Sequence, residues 1–594
     1  MTTAPQARPT PVWPIALFIL LALAYGIWQA GPALSGDLRG SDDMMRMQQI
    51  RDLIAGQSWF DVDQSRLDTP EGGAMHWSRL PDLVPAAIVF LFQPLIGREL
   101  AEGIAITAWP LMLMVWVLTA LVVCLRRLGA PVSGQLAGIF FFSTSAAMVN
   151  VMPGRIDHHG LGLALILTGF AALLSPRPLP RSGAVGAVCV AAMLSVAMEN
   201  LPAAGMLIAG FGAAWIFRGA AEANRLRAFG ASLIIAALVT FVFDAPGGGG
   251  QRDVCDAYGQ SHFVALLVAG GSLVLIATAL PRAESWRTRL IAMAVAGGLT
   301  LIGFIAVNPS CIGDPYAALP PLVRDGWLDV VAEARPLPRV IAEDAALAVF
   351  FYGFAFAGLA CAWFAVRIGQ SGKRLEAGAL AVLLTISVAL MVWQLRAASL
   401  AHALAAIASG WMFGYLFANW QSKRGAGPAL LLLVGAVFIS PSGWAYARSL
   451  MPDGAADARS FSAACRSGEA YRPVAAAPRA VVFTPVDLGA PLIYYTRHLA
   501  TSAPYHRNPA AIELTFDVFR GTAETARRKI AMTGATHLLY CPGLGELSRH
   551  ARAAPDGFAA DLINGNLPSW LTPLTRIEGE EEGPVLYTIS FDRN

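Results

Sequence analysis

Apolar runs of about 16 to 24 residues recur along this chain, each close to the roughly 20 residues that a helix needs to cross about 30 Å of hydrocarbon. Inside a bilayer only helices and closed barrels satisfy their own backbone hydrogen bonds, and continuous runs of this length are helical. The repetition excludes a soluble enzyme, a disordered chain and a single-pass anchor. Composition agrees, because 14% of residues are charged where soluble domains carry about a quarter. The net charge is only +3, with no basic stripe interleaved with aromatics, so nucleic acid is not expected as a partner. Seven cysteines in 594 residues make no disulfide framework, and the odd number leaves at least one unpaired.

Arg8 precedes the run 13 to 30, which is too long for a signal-peptide core and lacks a small-residue cleavage site, so it reads as an uncleaved first span. Further spans are expected near 103 to 125, 132 to 150, 158 to 175, 182 to 198, 201 to 217, 228 to 243, 263 to 280, 290 to 307, 344 to 367, 376 to 394, 399 to 418 and 428 to 446. The segment 82 to 97 is short and carries Pro85 and Pro94. If it does not span, the basic clusters Arg126/Arg127, Arg177/Arg181, Arg218/Arg225/Arg227, Arg282/Arg287/Arg289, Arg367/Lys373/Arg374 and Lys423/Arg424 all fall on the side of Arg8, as the positive-inside rule requires. That gives thirteen spans and an interfacial 82 to 97. A membrane domain over 1 to 446 is then followed by an external domain over 447 to 594. The first loop (31 to 102), the loop 151 to 157, the loop 244 to 262 with its flexible run Gly247 to Gly250, and the loop 308 to 343 share the external side. In the C-terminal region AVVFTPVDLG, THLLYC and GPVLYTIS read as strands and TAETARRKIAM as a helix opened by Thr and Glu, hence a small α/β domain. The Ala- and Arg-rich character of the chain places it in a bacterial inner membrane, with the N-terminus cytoplasmic and the C-terminal domain periplasmic.

Ionisable groups are costly near a bilayer, so their clusters on the external side are informative. Asp42 and Asp43 follow the first span in Gly40-Ser41-Asp42-Asp43, ahead of an apolar face formed by Met44, Met47, Ile50, Leu53 and Ile54. Two adjacent carboxylates suit a hard divalent cation, or they cap the helix that begins there. Arg155, Asp157, His158 and His159 stand at the mouth of the fourth span, where a carboxylate and an imidazole two residues apart can face one ion, or form a polar collar. Glu333 lies in the 308 to 343 loop, where an acidic residue needs no special explanation. Arg396 ends the eleventh span on the side opposite the basic clusters, suited to a phosphate through its forked donors, to snorkelling or to an ordinary lipid headgroup. Glu199, in Met198-Glu199-Asn200, reads as a structural hairpin residue. Cys255 and Cys311 lie in neighbouring external loops, as a disulfide or as two free thiols. Tyr505-His506-Arg507-Asn508 is a polar turn, either touching substrate or simply a loop.

The order of these features resembles the catalytic subunit family of oligosaccharyltransferases, integral-membrane glycosyltransferases of the GT-C fold. A first-loop Asp is followed nine residues later by RDLIAG, then a span, a cytoplasmic Arg-Arg, another span and an external acidic motif. The resemblance covers roughly 13 to 450 and is most specific over 40 to 160. It implies a polytopic α-helical GT-C protein with about 13 transmembrane helices and an extracytoplasmic α/β domain. It implies Asp42, with Asp43 in reserve, as the first-loop metal-binding and catalytic carboxylate, and Asp157 and His159 as the second-loop metal motif. Glu333, in VAEARP, is similar to the fifth-loop glutamate placed against metal and acceptor, and Arg396 to the arginine on the lipid-linked diphosphate. The WWDYG motif that reads a glycosylation sequon is absent from 447 to 594, so sequon-directed N-glycosylation is not supported.

The expected activity is metal-dependent, inverting transfer of a sugar or oligosaccharide from a polyprenyl-(di)phosphate donor to a glycan, lipid or protein on the external face. The metal would be Mn2+ or Mg2+, held by Asp42, Asp157 and His159, with Asp42, Asp43 and Glu333 catalytic and Arg396 on the donor phosphate. His76, Arg79, Arg155, His158, His506 and Arg507 are the further candidate substrate contacts. A monophosphate donor used to modify lipid A or a polysaccharide is the nearest alternative. A transporter or flippase would instead show inverted repeats and charges deep within its spans, neither of which the sequence contains, and a scaffold built on the C-terminal domain leaves the acidic loops unexplained.

Overall fold

The computed structural model describes residues 12–244, 254–280, 285–314, 316–369, 372–452, 465–575 and 583–591. Arg8, Arg282 and the run Gly247 to Gly250 lie outside them. Every one of the thirteen expected runs contains a helix. In order these are Trp13–Trp28, Arg98–Arg127, Val132–Ser143, His158–Leu173, Pro180–Val196, Leu201–Arg218, Ala223–Phe243, Gln260–Ala279, Trp286–Val307, Ala345–Ile368, Arg374–Trp393, Ala398–Lys423, and a bent pair, Ala426–Phe438 with Pro441–Ser449. Among the described residues, seven helical stretches are long and apolar enough to cross a membrane, or eight with the bent pair taken as one span. Trp13–Trp28, Val132–Ser143, His158–Leu173 and Pro180–Val196 are shorter apolar helices.

Local chemistry explains the departures from straight spans. The run 428 to 446 bends by 69°, where Pro441 cannot donate a backbone hydrogen bond and the Ser440 hydroxyl instead accepts from the Gly443 amide at 3.0 Å. The run 132 to 150 is α-helical only to Ser143 and continues as a 3-10 stretch, Ala146–Val151. Segment 82 to 97 forms the helix Leu83–Ile96, about 21 Å long at 1.5 Å per residue. That is shorter than the hydrocarbon is thick, and it turns sharply at Gly97 (φ +81°) into Arg98–Arg127. Helix–helix contact inside the bundle uses small residues. A Cβ on Gly410 would lie 2.8 Å from the Gly134 carbonyl oxygen and 2.8 Å from Gly138 Cα, so Val132–Ser143 packs backbone to backbone on Ala398–Lys423.

The first loop is ordered by buried arginines. Arg46, on the helix Ser41–Ile54, pairs with Asp82 at 2.6 Å, both side chains 1% exposed, and its guanidinium lies over the Trp77 ring. Arg51 is held by Glu102 at 2.7 Å and donates to the Tyr494 carbonyl at 2.6 Å.

The C-terminal region is a small α/β domain. Strands β1 (Val481–Phe483), β2 (Leu499–Ala500), β3 (His537–Tyr540), β4 (Leu571–Pro573) and β5 (Val585–Ile589) form a sheet in the order β2-β1-β3-β5-β4, parallel across β2-β1-β3 and antiparallel across β3-β5-β4. The three apolar segments expected as strands are β1, β3 and β5. The helix Ala523–Ala531 starts at Thr522, whose hydroxyl caps the Thr525 amide. Strands β2 and β4, two and three residues long, are too short to leave an alternating pattern.

This domain sits on the first loop. Ala500 exchanges backbone hydrogen bonds with Asp68 and Arg66 at 2.8 and 3.0 Å, so the loop continues the sheet at β2. Tyr494 donates to the Gly36 carbonyl at 2.8 Å and Tyr505 to that of Ser41 at 3.3 Å. Asp256 accepts a two-pronged pair from Arg507 (2.9 and 2.7 Å) and a 2.7 Å contact from His506, tying the 244 to 262 loop to the same domain. Disulfides join Cys255 to Cys311 and Cys465 to Cys541, while Cys124, Cys189 and Cys361 are free and buried in the helical bundle. Four cysteines outside the bundle are therefore paired and three inside it are not, as expected if the loops and the domain share an oxidising compartment.

In intact cells a membrane-impermeant maleimide should label Asn564→Cys, in the C-terminal domain, and label Ser422→Cys, beside Lys423 and Arg424, only after permeabilisation. The reverse pattern would invert the topology.

Candidate functional site

The site begins where Gly40 enters the helix Ser41–Ile54 in extended conformation (φ −145°, ψ 165°). A Cβ there would lie 3.0 Å from Arg155 Nη1, so the glycine admits the arginine. Neither Asp42 nor Asp43 caps this helix by a side-chain hydrogen bond, although both carboxylates stand in its first turn, where the helix dipole favours them. Asp43 is fully buried and reaches across to the 151 to 157 loop. Its Oδ1 accepts from the backbone amides of Ile156 (2.7 Å) and Asp157 (3.0 Å), and its Oδ2 lies 3.3 Å from Arg155 Nη1. Burial pushes the Asp43 carboxyl above the usual range, against the pull of Arg155.

Asp157 is the residue that caps a helix: its Oδ1 accepts from the His159 amide at 3.1 Å, opening His158–Leu173. Its Oδ2 is buried without a well-aligned hydrogen bond, 2.5 Å from Arg155 Nη2 and 4.0 Å from His159 Nε2. Burial raises the Asp157 carboxyl, but Arg155, His159 and His158 outweigh it and leave it below the ordinary value. Asp42 is half-buried and interacts electrostatically with His158, Asp157, Glu333 and His159. Loss of solvent raises its carboxyl, and the neighbouring carboxylates add to that.

Glu333 stands on a 3-10 turn, Ala332–Ala334, with Oε2 4.0 Å from His159 Nε2. Two residues on, Arg335 accepts at its carbonyl from the Leu395 amide at 3.1 Å, which brings the loop of Glu333 against that of Arg396. Arg396 in turn lies beside the side chain of Tyr316 and interacts with it electrostatically, and its Nε is buried without a partner. His76 rests on His506 at 4.4 Å between ring centroids and interacts electrostatically with His158, so the His76, His506, Arg507 and Asp256 group borders the acidic cluster.

Asp42, Asp43, Arg155, Asp157, His158, His159 and Glu333 therefore converge from three separate segments, with Arg396, His76, His506 and Arg507 alongside. Arg79 does not join them. It is buried within the first loop, donating to the Gln49 carbonyl (2.9 Å), Gln57 Oε1 (2.8 Å) and the Asp61 carbonyl (2.6 Å), which commits its donors to packing. Glu199, read from the sequence as a hairpin residue, belongs to the cluster: Oε1 lies 2.7 Å from His159 Nδ1 and 3.4 Å from His158 Nε2. Its one sequence signal is an acidic residue just past a span, on the same side as Asp157. Tyr316 and Asp256 left no such signal.

The donor set suits a divalent cation. His159 Nε2 lies 4.0 Å from both Asp157 Oδ2 and Glu333 Oε2, and among the described residues the ligand atoms of His158, His159 and Glu199, and those of His76, Asp256 and His506, lie within 4.8 Å of one another. Carboxylates with one imidazole fit manganese, magnesium or zinc.

No protein-family model matches the sequence, and no curated protein resembles it. Solved structures do. The oligosaccharyltransferase AglB from Archaeoglobus fulgidus, in complex with an inhibitory peptide and a dolichol-phosphate, superposes with a TM-score of 0.65 at 13% identity, over 92% of this chain and 72% of that one. The fold is that of the GT-C membrane glycosyltransferases. The A. fulgidus oligosaccharyltransferase tethered to an acceptor peptide containing the NVT sequon matches with a TM-score of 0.64 at 13% identity, over 98% and 74% of the two chains. The same enzyme in complex with Zn and sulfate gives 0.61 at 14% identity, over 92% and 70%.

Asp43→Ala should destabilise the protein by about 3 kcal/mol, because it strands the buried Ile156 and Asp157 amides and leaves Arg155 with Asp157 as its sole carboxylate partner among the described residues. The thermal midpoint in detergent should fall accordingly; an unchanged midpoint would show that Asp43 does not hold these segments together.

Proposed function

We propose that the chain is a metal-dependent GT-C glycosyltransferase. It moves a sugar or oligosaccharide from a polyprenyl-phosphate or polyprenyl-diphosphate carrier to an acceptor on the extracytoplasmic face of a bacterial inner membrane. The observation that carries this reading is the convergence of Asp42, Asp157 and Glu333 on His159 beside Arg396 and Tyr316, at the external mouth of the bundle. Two disulfides among the external elements support the compartment. The A. fulgidus oligosaccharyltransferase has been solved with dolichol-phosphate, with an acceptor peptide, and with Zn and sulfate, which supports a lipid-linked donor and a metal.

Asp42, Asp157 and His159, with Glu333 within reach, would hold a divalent cation such as Mn2+ or Mg2+, which supplies charge neutralisation to the departing phosphate. Arg396, its Nε unpartnered and Tyr316 beside it, binds a phosphate oxygen and keeps the donor's head at the bilayer surface. The acceptor attacks the anomeric carbon from the face opposite the phosphate, so the C–O bond to phosphate breaks as the new glycosidic bond forms and configuration inverts. Asp42 or Glu333 orients the acceptor and takes its proton. Solvent exclusion aids Asp42, since the C-terminal domain roofs the first loop through Tyr505 and Asn508, whereas Glu333 stays open to water. Absence of WWDYG leaves the acceptor a glycan, a lipid, or a protein read by another motif.

Membranes supplied with radiolabelled polyprenyl-linked glycans should transfer label in a reaction abolished by EDTA and restored by Mn2+. Asp42→Ala should reduce the rate by about 10²-fold or more. Arg396→Ala should mainly raise the donor KM, by roughly tenfold or more, as loss of a charge-assisted hydrogen bond does. Transfer indifferent to EDTA and to Asp42→Ala would overturn the reading.

A further inference from the structure

We propose that Glu199 is the positioning residue for His159, fixing the ring so that Nε2 faces the cation; this rests on the metal-dependent reading above. The geometry is specific. Glu199 Oε1 lies 2.7 Å from His159 Nδ1, while His159 Nε2, on the far side of the same ring, faces Asp157 Oδ2 and Glu333 Oε2 at 4.0 Å each. An ionised carboxylate only accepts hydrogen bonds, so Nδ1 carries a proton, and Nε2 is the ring nitrogen left to give its lone pair to a cation. Histidines that bind metals are usually held this way, by a carboxylate or carbonyl on the nitrogen that does not touch the ion.

The chain is built to keep Glu199 there. The helix Pro180–Val196 stops at Ala197, which is extended (φ −166°, ψ 137°), and Glu199 follows on the turn Met198–Asn200. Asn200 fastens the turn by donating to the Met193 carbonyl at 3.0 Å. Gly162 lies three residues after His159 on the same helix face, and a Cβ there would come within 3.0 Å of Asn200 Nδ2. The glycine lets the turn close onto the helix that carries His159, at the height of its first turns. Glu199 also lies 3.4 Å from His158 Nε2, and the two rings are 4.3 Å apart, so one carboxylate orders both imidazoles.

The geometry admits a rival arrangement, because the ligand atoms of His158, His159 and Glu199 themselves lie within 4.8 Å of one another. The 2.7 Å contact between Nδ1 and Oε1 is a hydrogen bond and leaves no room for an ion between those atoms.

The test is Mn2+ binding to the purified full chain, followed by electron paramagnetic resonance, with the Mn2+ dependence of transfer measured alongside. Glu199→Ala should weaken Mn2+ binding by about 10- to 100-fold and shift the Mn2+ concentration for half-maximal transfer equally, with kcat at saturating Mn2+ and the donor KM near wild type. Glu199→Gln should recover most of the affinity, since its amide oxygen still accepts from Nδ1. Wild-type affinity in Glu199→Ala, with binding lost in Asp157→Asn, would overturn the positioning role and leave the metal reading intact. Glu199→Gln as impaired as Glu199→Ala would overturn it too, by making the carboxylate a direct ligand. Failure of the wild type to bind Mn2+ would overturn the metal reading itself.

Discussion

The Asp43 carboxylate lies between two segments 113 residues apart in sequence, receiving two backbone amides of the 151 to 157 loop and facing Arg155. A buried charge is tolerated only when its lone pairs are met by donors, and here those donors belong to the loop that carries Asp157. The same arginine then reaches Asp157 at 2.5 Å, so one guanidinium holds both loops in register. Asp42, next in sequence to Asp43 but half-buried rather than enclosed, is thereby set opposite Asp157 and His159. The reactive geometry follows from this clamp: one aspartate is spent on structure so that its neighbour faces the cleft.

The C-terminal domain completes the arrangement from above. Its contacts are made through the first loop: Tyr505 on Ser41, Tyr494 on Gly36 and Arg51, and Ala500 paired with the strand-like stretch around Leu67. Asp256, with His506 and Arg507, adds a second attachment through a loop that the Cys255–Cys311 disulfide restrains. Among its described residues the domain contributes no carboxylate to the acidic cluster as it closes over the first loop. In the proposed reaction the bundle would handle the donor and the domain would present one wall to the acceptor.

Much of this was legible in the sequence because hydrophobic length is a one-dimensional signal. Each apolar run expected to span holds a helix, and the Arg and Lys clusters ordered those runs without any tertiary information. The acidic cluster was legible through residue order, as Asp42, Asp157, His159 and Glu333 do converge. The roles of neighbouring charges were not. Asp42 and Asp43 are indistinguishable on a helix start until the 151 to 157 loop is in place, and Arg79 looks like a free cation until Gln49, Gln57 and Asp61 close on it. Glu199 hid because its partner is 40 residues away, and a lone acid after a span has the same appearance whether it turns a hairpin or orients a ligand. Cys465 and Cys541 pair across 76 residues, a distance over which spacing carries no information.

The central claim is that a single cation sits between Asp42, Asp157 and His159. Anomalous scattering from crystals of the full chain grown with Mn2+ tests it most directly. The account predicts one strong peak within about 2.2 Å of His159 Nε2 and a carboxylate oxygen of each aspartate. A peak at the His76, Asp256 and His506 group instead, or no peak at the acidic cluster under saturating Mn2+, would contradict it.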